Sequence, residues 1–289
     1  MKLTNSEIKE FIRLFKIPID IFEHFEYYID FLSETDKFSD IKEKLKQYYD
    51  YLSFLKIEGY ELVSYKMSIF KNVVDFLKET NSYKKINEYK IKNYNKLKFF
   101  TDNVTHKISI DIKEANFSVF KKFDNKNEIE NTYEKLLNKF DRSNFLHLSK
   151  SFRQYIFGNL NPKKLQKIQD YYTYLLSNEI VLKNNEKVLF KQENDELILN
   201  YHHITDNDLL KKDILKYSEF EFKIKKYTEE KIGKYVLKTY NTGKKELTFV
   251  SKNRFFLEYD KFINKKNFDD IDERNLLFLN DKKKAKWVE

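Results

Sequence analysis

The chain has 289 residues, 41% of them hydrophobic, which is enough to bury a sizeable core in one large domain or two modest ones. Four glycines and two prolines argue against a loop-rich sandwich or a collagen-like design, and the lack of cysteine excludes disulfides and thiolate metal sites. Fifty-five basic residues against 46 acidic ones leave a formal charge of +9, which suggests a polyanionic partner such as nucleic acid. A second reading of that charge stands beside the first. Lys, Asn, Ile, Phe and Tyr are all abundant and Ala occurs only at positions 115 and 285, the profile of an AT-rich coding sequence. No apolar run approaches the length of a bilayer span, and Lys9, Glu10 and Arg13 interrupt the first apolar residues. The expectation is a soluble cytoplasmic protein that does not engage a membrane.

Residues 1–100 read as helices, a region expected to be thumb-like or to track nucleic acid. Thr4-Asn5-Ser6 offers an N-cap, and apolar residues at 8, 11, 12 and 15 define the first helix. Further helices are expected over Ile19–Leu32, Ser39–Lys56 and Leu62–Lys78, with a break at Gly59. Lys84–Lys98 is strongly basic, interleaved with Tyr89 and Tyr94 and preceded by Tyr83. Two readings fit it: tyrosines half-buried between packed helices, or an arm whose Lys/Tyr face follows a nucleic-acid backbone.

The stretch Lys107–Phe120 changes period. Ile108, Ile110 and Ile112 alternate with Lys107, Ser109, Asp111 and Lys113 as a strand does, and Ala115, Val119 and Lys122 then share a helical face. Asp111 therefore lies at the end of a core strand just before a helix, the place of either an N-cap or a metal ligand. Helices are expected at Glu128–Phe140, at Leu146–Asn159 and from Pro162 to Leu176. Beyond them the pattern turns to short strands: Glu179–Leu182, Lys187–Gln192 and Glu196–His202, with turns at Asn184-Asn185 and Asn194-Asp195. A short helix at Asp206–Leu215 precedes an alternating strand, Glu219–Tyr227, with Phe220, Phe222 and Ile224 inward. A hairpin over Tyr235–Tyr240 and Glu246–Val250, a helix at 252–264 and a charged tail complete the chain. The fold class expected is α+β, a helical N-terminal region followed by an antiparallel sheet with packed helices over residues 101–289.

Three local patterns carry chemistry. Asp111 ends a strand; Lys150, Arg153, Gln154 and Phe157 lie on the helix KSFRQYIFG; and Asp195 and Glu196 lie at a turn between strands. In this order they resemble the palm and fingers of template-dependent DNA polymerases. KSFRQYIFG is similar to the family B pattern of Lys, three residues, Asn, two residues and Tyr-Gly, with Gln154 at the Asn place and Phe157 at the Tyr place. The turn NDELIL is similar to the family A turn His-Asp-Glu, with Asn194 at the His place. The strings IDIKEANF and FRQYIFGNLNP are also similar to patterns in small phage- or virus-like proteins.

The resemblance implies nucleotidyl transfer by two Mg²⁺ ions bound by Asp111 and Asp195, with Glu196 as a further catalytic carboxylate. It implies that Lys150, Arg153, Gln154 and Phe157 bind a nucleoside triphosphate, and that DNA, or else RNA, is the partner. Asn116 stands where those families place a sugar-sensing residue. Hard cations favour carboxylates, and a developing phosphoryl charge favours Lys and Arg. The plainer readings stay open: a cap at Asp111, a polar hairpin tip at Asp195-Glu196 and a solvated face at Lys150 and Arg153. A non-enzymatic nucleic-acid-binding or structural viral protein is the alternative function. His202-His203 point to opposite faces of a strand and read as structural, and His106 and His147 are isolated.

Overall fold

The structure, a computed structural model, describes residues 2–18, 25–35, 37–95, 105–183, 189–193, 195–200, 212, 214, 216, 220–248 and 255–263. In chain order the described elements are α1 (Asn5–Phe15), α2 (Phe25–Ser33), α3 (Ile41–Ile57), α4 (Leu62–Glu79), α5 (Asn81–Glu88), β1 (His106–Ile112), α6 (Ala115–Lys122), α7 (Tyr133–Asn138), a 3-10 turn (Leu146–Leu148), α8 (Lys150–Gly158), α9 (Pro162–Lys183), β2 (Leu189–Gln192), β3 (Glu196–Asn200), β4 (Phe222–Ile232), β5 (Tyr235–Tyr240), β6 (Lys245–Thr248) and α10 (Phe255–Phe262). The fold is α+β, with a helical N-terminal region followed by antiparallel sheet. No described helix is long and apolar enough to cross a membrane. The chain divides into two compact units, Met1–Gly59 with Leu148–Ser151 and Glu230–Glu289, and Tyr60–His147 with Phe152–Glu229.

In the first unit, α1 starts on a capping box. The Thr4 hydroxyl accepts the Glu7 N–H at 3.3 Å and the Glu7 carboxylate accepts the Thr4 N–H at 2.6 Å. Phe11, fully buried, gathers the aromatic core, with ring centroids 5.0 Å from Phe15, 5.9 Å from Phe25 and 5.2 Å from Tyr48. The Tyr48 hydroxyl donates to the Glu7 carbonyl at 3.0 Å, and the Ser149 hydroxyl donates to the Leu14 carbonyl at 2.7 Å. Strands β5 and β6 pair antiparallel around a turn in which Gly243 takes φ +82°, so the expected hairpin is present. Tyr235, Leu237 and Leu247 form a small core there with Phe262, and the Tyr235 hydroxyl donates to the buried Glu258 carboxylate at 2.9 Å.

The second unit holds a sheet in the order β2-β3-β1-β4, every neighbouring pair antiparallel. The chain leaves β1, runs through α6–α9, and returns as the β2-β3 hairpin with β3 lying beside β1; β4 then takes the other side of β1. This is the connectivity of a split β-α-β unit. One face packs Ile108, Ile110, Leu197 and Leu199 against Leu176 and Ile180 of α9, with Ile214 in the same cluster. The other face carries Lys107, Ser109 and Asp111. Lys107 and Ser109 are buried too, because β1 is central and covered on both sides. The Lys107 ammonium is matched by the Glu229 carboxylate, which offsets the cost of burying the charge.

Several expectations are corrected. The helix over Glu128–Phe140 is confined to Tyr133–Asn138. The Asp124 carboxylate accepts the N–H groups of Glu128 and Ile129 at 2.9 and 3.0 Å, so that stretch is held as a loop. Glu179–Leu182 is no strand but the last turn of the 22-residue α9. Leu176 and Ile180, four residues apart, hold it helical against the sheet. In β4 the inward set fails at Ile224, which is 43% exposed, while Tyr227 is buried. The basic segment is helical only to Glu88, and its tyrosines are half-buried in packing contacts. Tyr83 stacks on Phe120 at 6.3 Å, Tyr89 meets Phe123 at 5.0 Å, and the Tyr94 hydroxyl donates to Asp170 at 2.5 Å. The turns at Asn184-Asn185 and Asn194, residues 201–210 with the His pair, most of the 206–215 helix and the tail lie outside the described residues.

Candidate active site at the end of the central strand

The register of the sheet decides which carboxylates meet. Asp111 stands directly opposite Glu196 of β3 and directly opposite Lys223 of β4. Residues opposite one another in an antiparallel ladder share a face, with Cβ atoms about 5 Å apart. Glu196, Asp111 and Lys223 therefore form one row across three strands, carboxylate, carboxylate, ammonium. Ser109, two residues back on the same face, donates its hydroxyl to Glu196 Oε1 at 2.5 Å and orients that carboxylate. Asp195 sits at the bend before β3, one residue out of step with the row. Its carbonyl accepts the Ile112 N–H at 2.9 Å and pins the hairpin to the end of β1. The structure thus brings Asp111 to Glu196, whereas the pairing expected from the sequence was Asp111 with Asp195.

Asp111 is not the cap of the following helix. The N-cap of α6 is Glu114, in the left-handed region at φ +50° and ψ +44°, and its side chain makes no capping bond. A non-glycine residue there costs about 1 kcal/mol or more, so the surrounding contacts must hold it. Those contacts are visible. The Lys113 N–H donates to the Glu221 carbonyl at 2.7 Å, and the Lys113 ammonium pairs with the Glu221 carboxylate at 2.7 Å. The Ser118 hydroxyl donates to the Lys113 carbonyl at 2.6 Å. Arg153 Nη1 donates to Glu114 Oε1 at 2.5 Å, and its guanidinium lies 5.4 Å from the Tyr133 ring centroid.

The residues expected on the fingers-like helix have separate surroundings. Arg153 reaches the turn after β1. Lys150, the first residue of α8, is exposed and belongs to the first unit; Gln154 is exposed. Phe157 is fully buried, packed in tilted contacts 5.6 Å from Phe120 and 6.2 Å from Tyr133, so its ring presents no open face to a base. Asn116 accepts from Gln169 of α9 at 2.7 Å. His106 is exposed at the start of β1, and His147 lies 3.8 Å from Glu134.

Four tyrosines of this unit titrate high, Tyr133 among them through burial, which outweighs the lowering by the Arg153 guanidinium. Burial and then the Asp141 carboxylate, which accepts a hydrogen bond from its hydroxyl at 3.0 Å, push Tyr65 up to about 12. Burial and the Tyr172 hydroxyl push Tyr89 up to about 12, and burial with the Asp170 carboxylate pushes Tyr94 higher still. All four are neutral at physiological pH, and Tyr65, Tyr89 and Tyr94 act there as hydrogen-bonding groups.

Among the described residues no group of three or more His, Asp or Glu side chains could hold a metal ion. What the site offers a cation is the pair Asp111 and Glu196, which suits Mg²⁺, an ion that takes one or two protein carboxylates and fills its shell with water and phosphate oxygens. Glu114, Lys223, Ser109 and Gln169 were not singled out by the sequence. Their importance comes from register and from contacts between distant segments, for which the local pattern carries no signal. Comparison with protein-family models, with curated proteins and with solved structures gives no match.

Proposed function

We propose that the chain is a compact cytoplasmic nucleotidyltransferase of the DNA polymerase palm type, acting on nucleoside triphosphates and nucleic acid. The observation that carries the reading is the Asp111–Glu196 pair at the end of the central strand, beside the turn of the β2-β3 hairpin. The strand order around it, a split β-α-β unit with the acidic hairpin next to the first strand, is consistent with that reading. Asp111 and Glu196 would hold the two Mg²⁺ ions, with Asp195 fixing the hairpin through its backbone. Bound there, the ions would lower the pKa of the attacking hydroxyl and polarise the phosphoryl oxygens. Ser109 orients Glu196, Arg153 receives phosphate, and Lys223 and Lys225, both exposed on β4, face the nucleic-acid backbone.

The test is incorporation of labelled deoxynucleotides and ribonucleotides with and without primer-template in Mg²⁺. Asp111→Asn and Glu196→Gln are expected to abolish product while circular dichroism shows an intact fold. Unchanged incorporation in both variants would overturn the proposal. The exposed lysines of β4 also favour a second reading, a nucleic-acid-binding protein without chemistry. It predicts salt-sensitive binding and no metal-dependent product.

A further inference from the structure

We propose that Glu114 is an internal substitute for substrate phosphate: it holds the Arg153 guanidinium beside the end of β1, and a polyphosphate takes its place on binding. The inference rests on the nucleotidyl-transfer reading above. It starts from a cap that does not cap. A residue at a helix N-cap ordinarily turns its side chain back to accept an N–H of the first turn. Glu114 keeps the N-cap position of α6 in a left-handed conformation, and its carboxylate accepts from Arg153 Nη1 instead.

Arginine's planar fork of five N–H donors suits carboxylate and phosphate alike, so the two anions compete for one place. The pair is partly open to solvent, with side-chain exposures of 21% for Arg153 and 27% for Glu114, so an incoming anion can reach it. The guanidinium also rests against the Tyr133 ring, a support that does not depend on Glu114 and would keep Arg153 in place during the exchange. Position adds the last element. Glu114 follows Asp111 by one short turn, and that turn is fixed by the Lys113–Glu221 backbone bond of 2.7 Å. A phosphate accepted by Arg153 is thereby recruited at the C-terminal end of β1. Released, the Glu114 carboxylate is free to accept an N–H of the first turn of α6.

The experiment is calorimetric titration of the full chain with inorganic tripolyphosphate, with and without Mg²⁺. Glu114→Gln removes the competing charge and is expected to tighten binding about tenfold, while Arg153→Met weakens it by about the same factor. The double variant is expected to bind as Arg153→Met does, because the gain from Glu114→Gln acts through Arg153. Glu114→Asp, too short to reach the fork, is expected to resemble Glu114→Gln. Asp75→Asn removes an exposed carboxylate of α4 that touches neither Arg153 nor the turn that holds Glu114, and should leave binding unchanged. Thermal melts by circular dichroism confirm that each variant is folded.

A gain from Glu114→Gln that persists in the Arg153→Met background, or no gain at all, would overturn the proposal. So would tripolyphosphate binding by neither the wild type nor Glu114→Gln. Failure of the nucleotidyl-transfer reading is distinguishable: Arg153-dependent tripolyphosphate binding would then be present with no nucleotide incorporated.

Discussion

At the scale of single residues, buried carboxylates in the second unit are explained by what donates to them. Asp141 accepts the N–H groups of Ser143, Phe145 and Leu146 as well as the Tyr65 hydroxyl, so one side chain organises the loop after α7. Asp124 does the same for the loop before α7. Burial by itself would raise its pKa, but the N–H groups of Ile129 and Glu128 and the Lys121 ammonium outweigh that and hold the carboxyl below its ordinary value. A carboxyl lower in the folded than in the unfolded chain stabilises above its unfolded pKa, and that contribution is lost as pH falls through the folded value. Asp124→Asn is therefore expected to cost about 1.5–3 kcal/mol at pH 7, the range for hydrogen bonds to a charged group. Urea denaturation of both proteins at pH 7 and again below pH 4 checks this: the gap should narrow in acid, and a gap independent of pH would contradict the account.

At the scale of elements, legibility follows how local the determining interaction is. Helices α1, α3 and α4 were readable because each carries its own apolar stripe, and of the helix expected over Ile19–Leu32 the described part, from Phe25, is helical. Thr4 with Glu7 marks a start, and Gly59, at φ +71°, follows the end of α3. Strand β1 was readable from Ile108, Ile110 and Ile112, and the β5-β6 hairpin from Asn241-Thr242-Gly243. The end of α9 was not, because β-branched Ile180 and Val181 read as strand until packing against the sheet holds them helical. Nor was the exposure of Ile224 readable: Phe220 is buried and Phe222 packs against the core as expected, while Ile224, two residues on, is left open. The consequence is a contrast between two isoleucines of the same sheet. Ile110→Ala, in a fully packed site, should cost about 2–5 kcal/mol, whereas Ile224→Lys should change stability by no more than about 0.5 kcal/mol. Equilibrium denaturation of the two variants decides it; a large loss at Ile224 would mean that the cover over Ile110 extends to its neighbour on β4.

At the scale of the whole molecule, composition and site bear on the same question. A charge of +9 is compatible with a nucleic-acid partner and equally with lysine-rich coding, and only position separates the two. Lys223 and Lys225 are exposed on the strand that flanks Asp111, on the Asp111 side of the sheet by register. If they contact phosphates, replacing each by Met should lower the slope of log affinity against log salt for single-stranded nucleic acid by about 0.7 per lysine. Unaltered slopes would assign these lysines to solvation alone. The candidate site was half legible in the sequence. Asp111, Arg153 and Glu196 were named from their local patterns, but which carboxylate faces Asp111 depends on a one-residue register between segments 85 positions apart in the chain.

That register is what the account stands on, and manganese binding followed by electron paramagnetic resonance tests it most directly. The wild type should bind Mn²⁺, Asp111→Asn and Glu196→Gln should each lose the binding, and Asp195→Asn should retain it. Loss of binding in Asp195→Asn with retention in Glu196→Gln, or no binding by the wild type, would contradict the carboxylate pair on which the proposed chemistry depends.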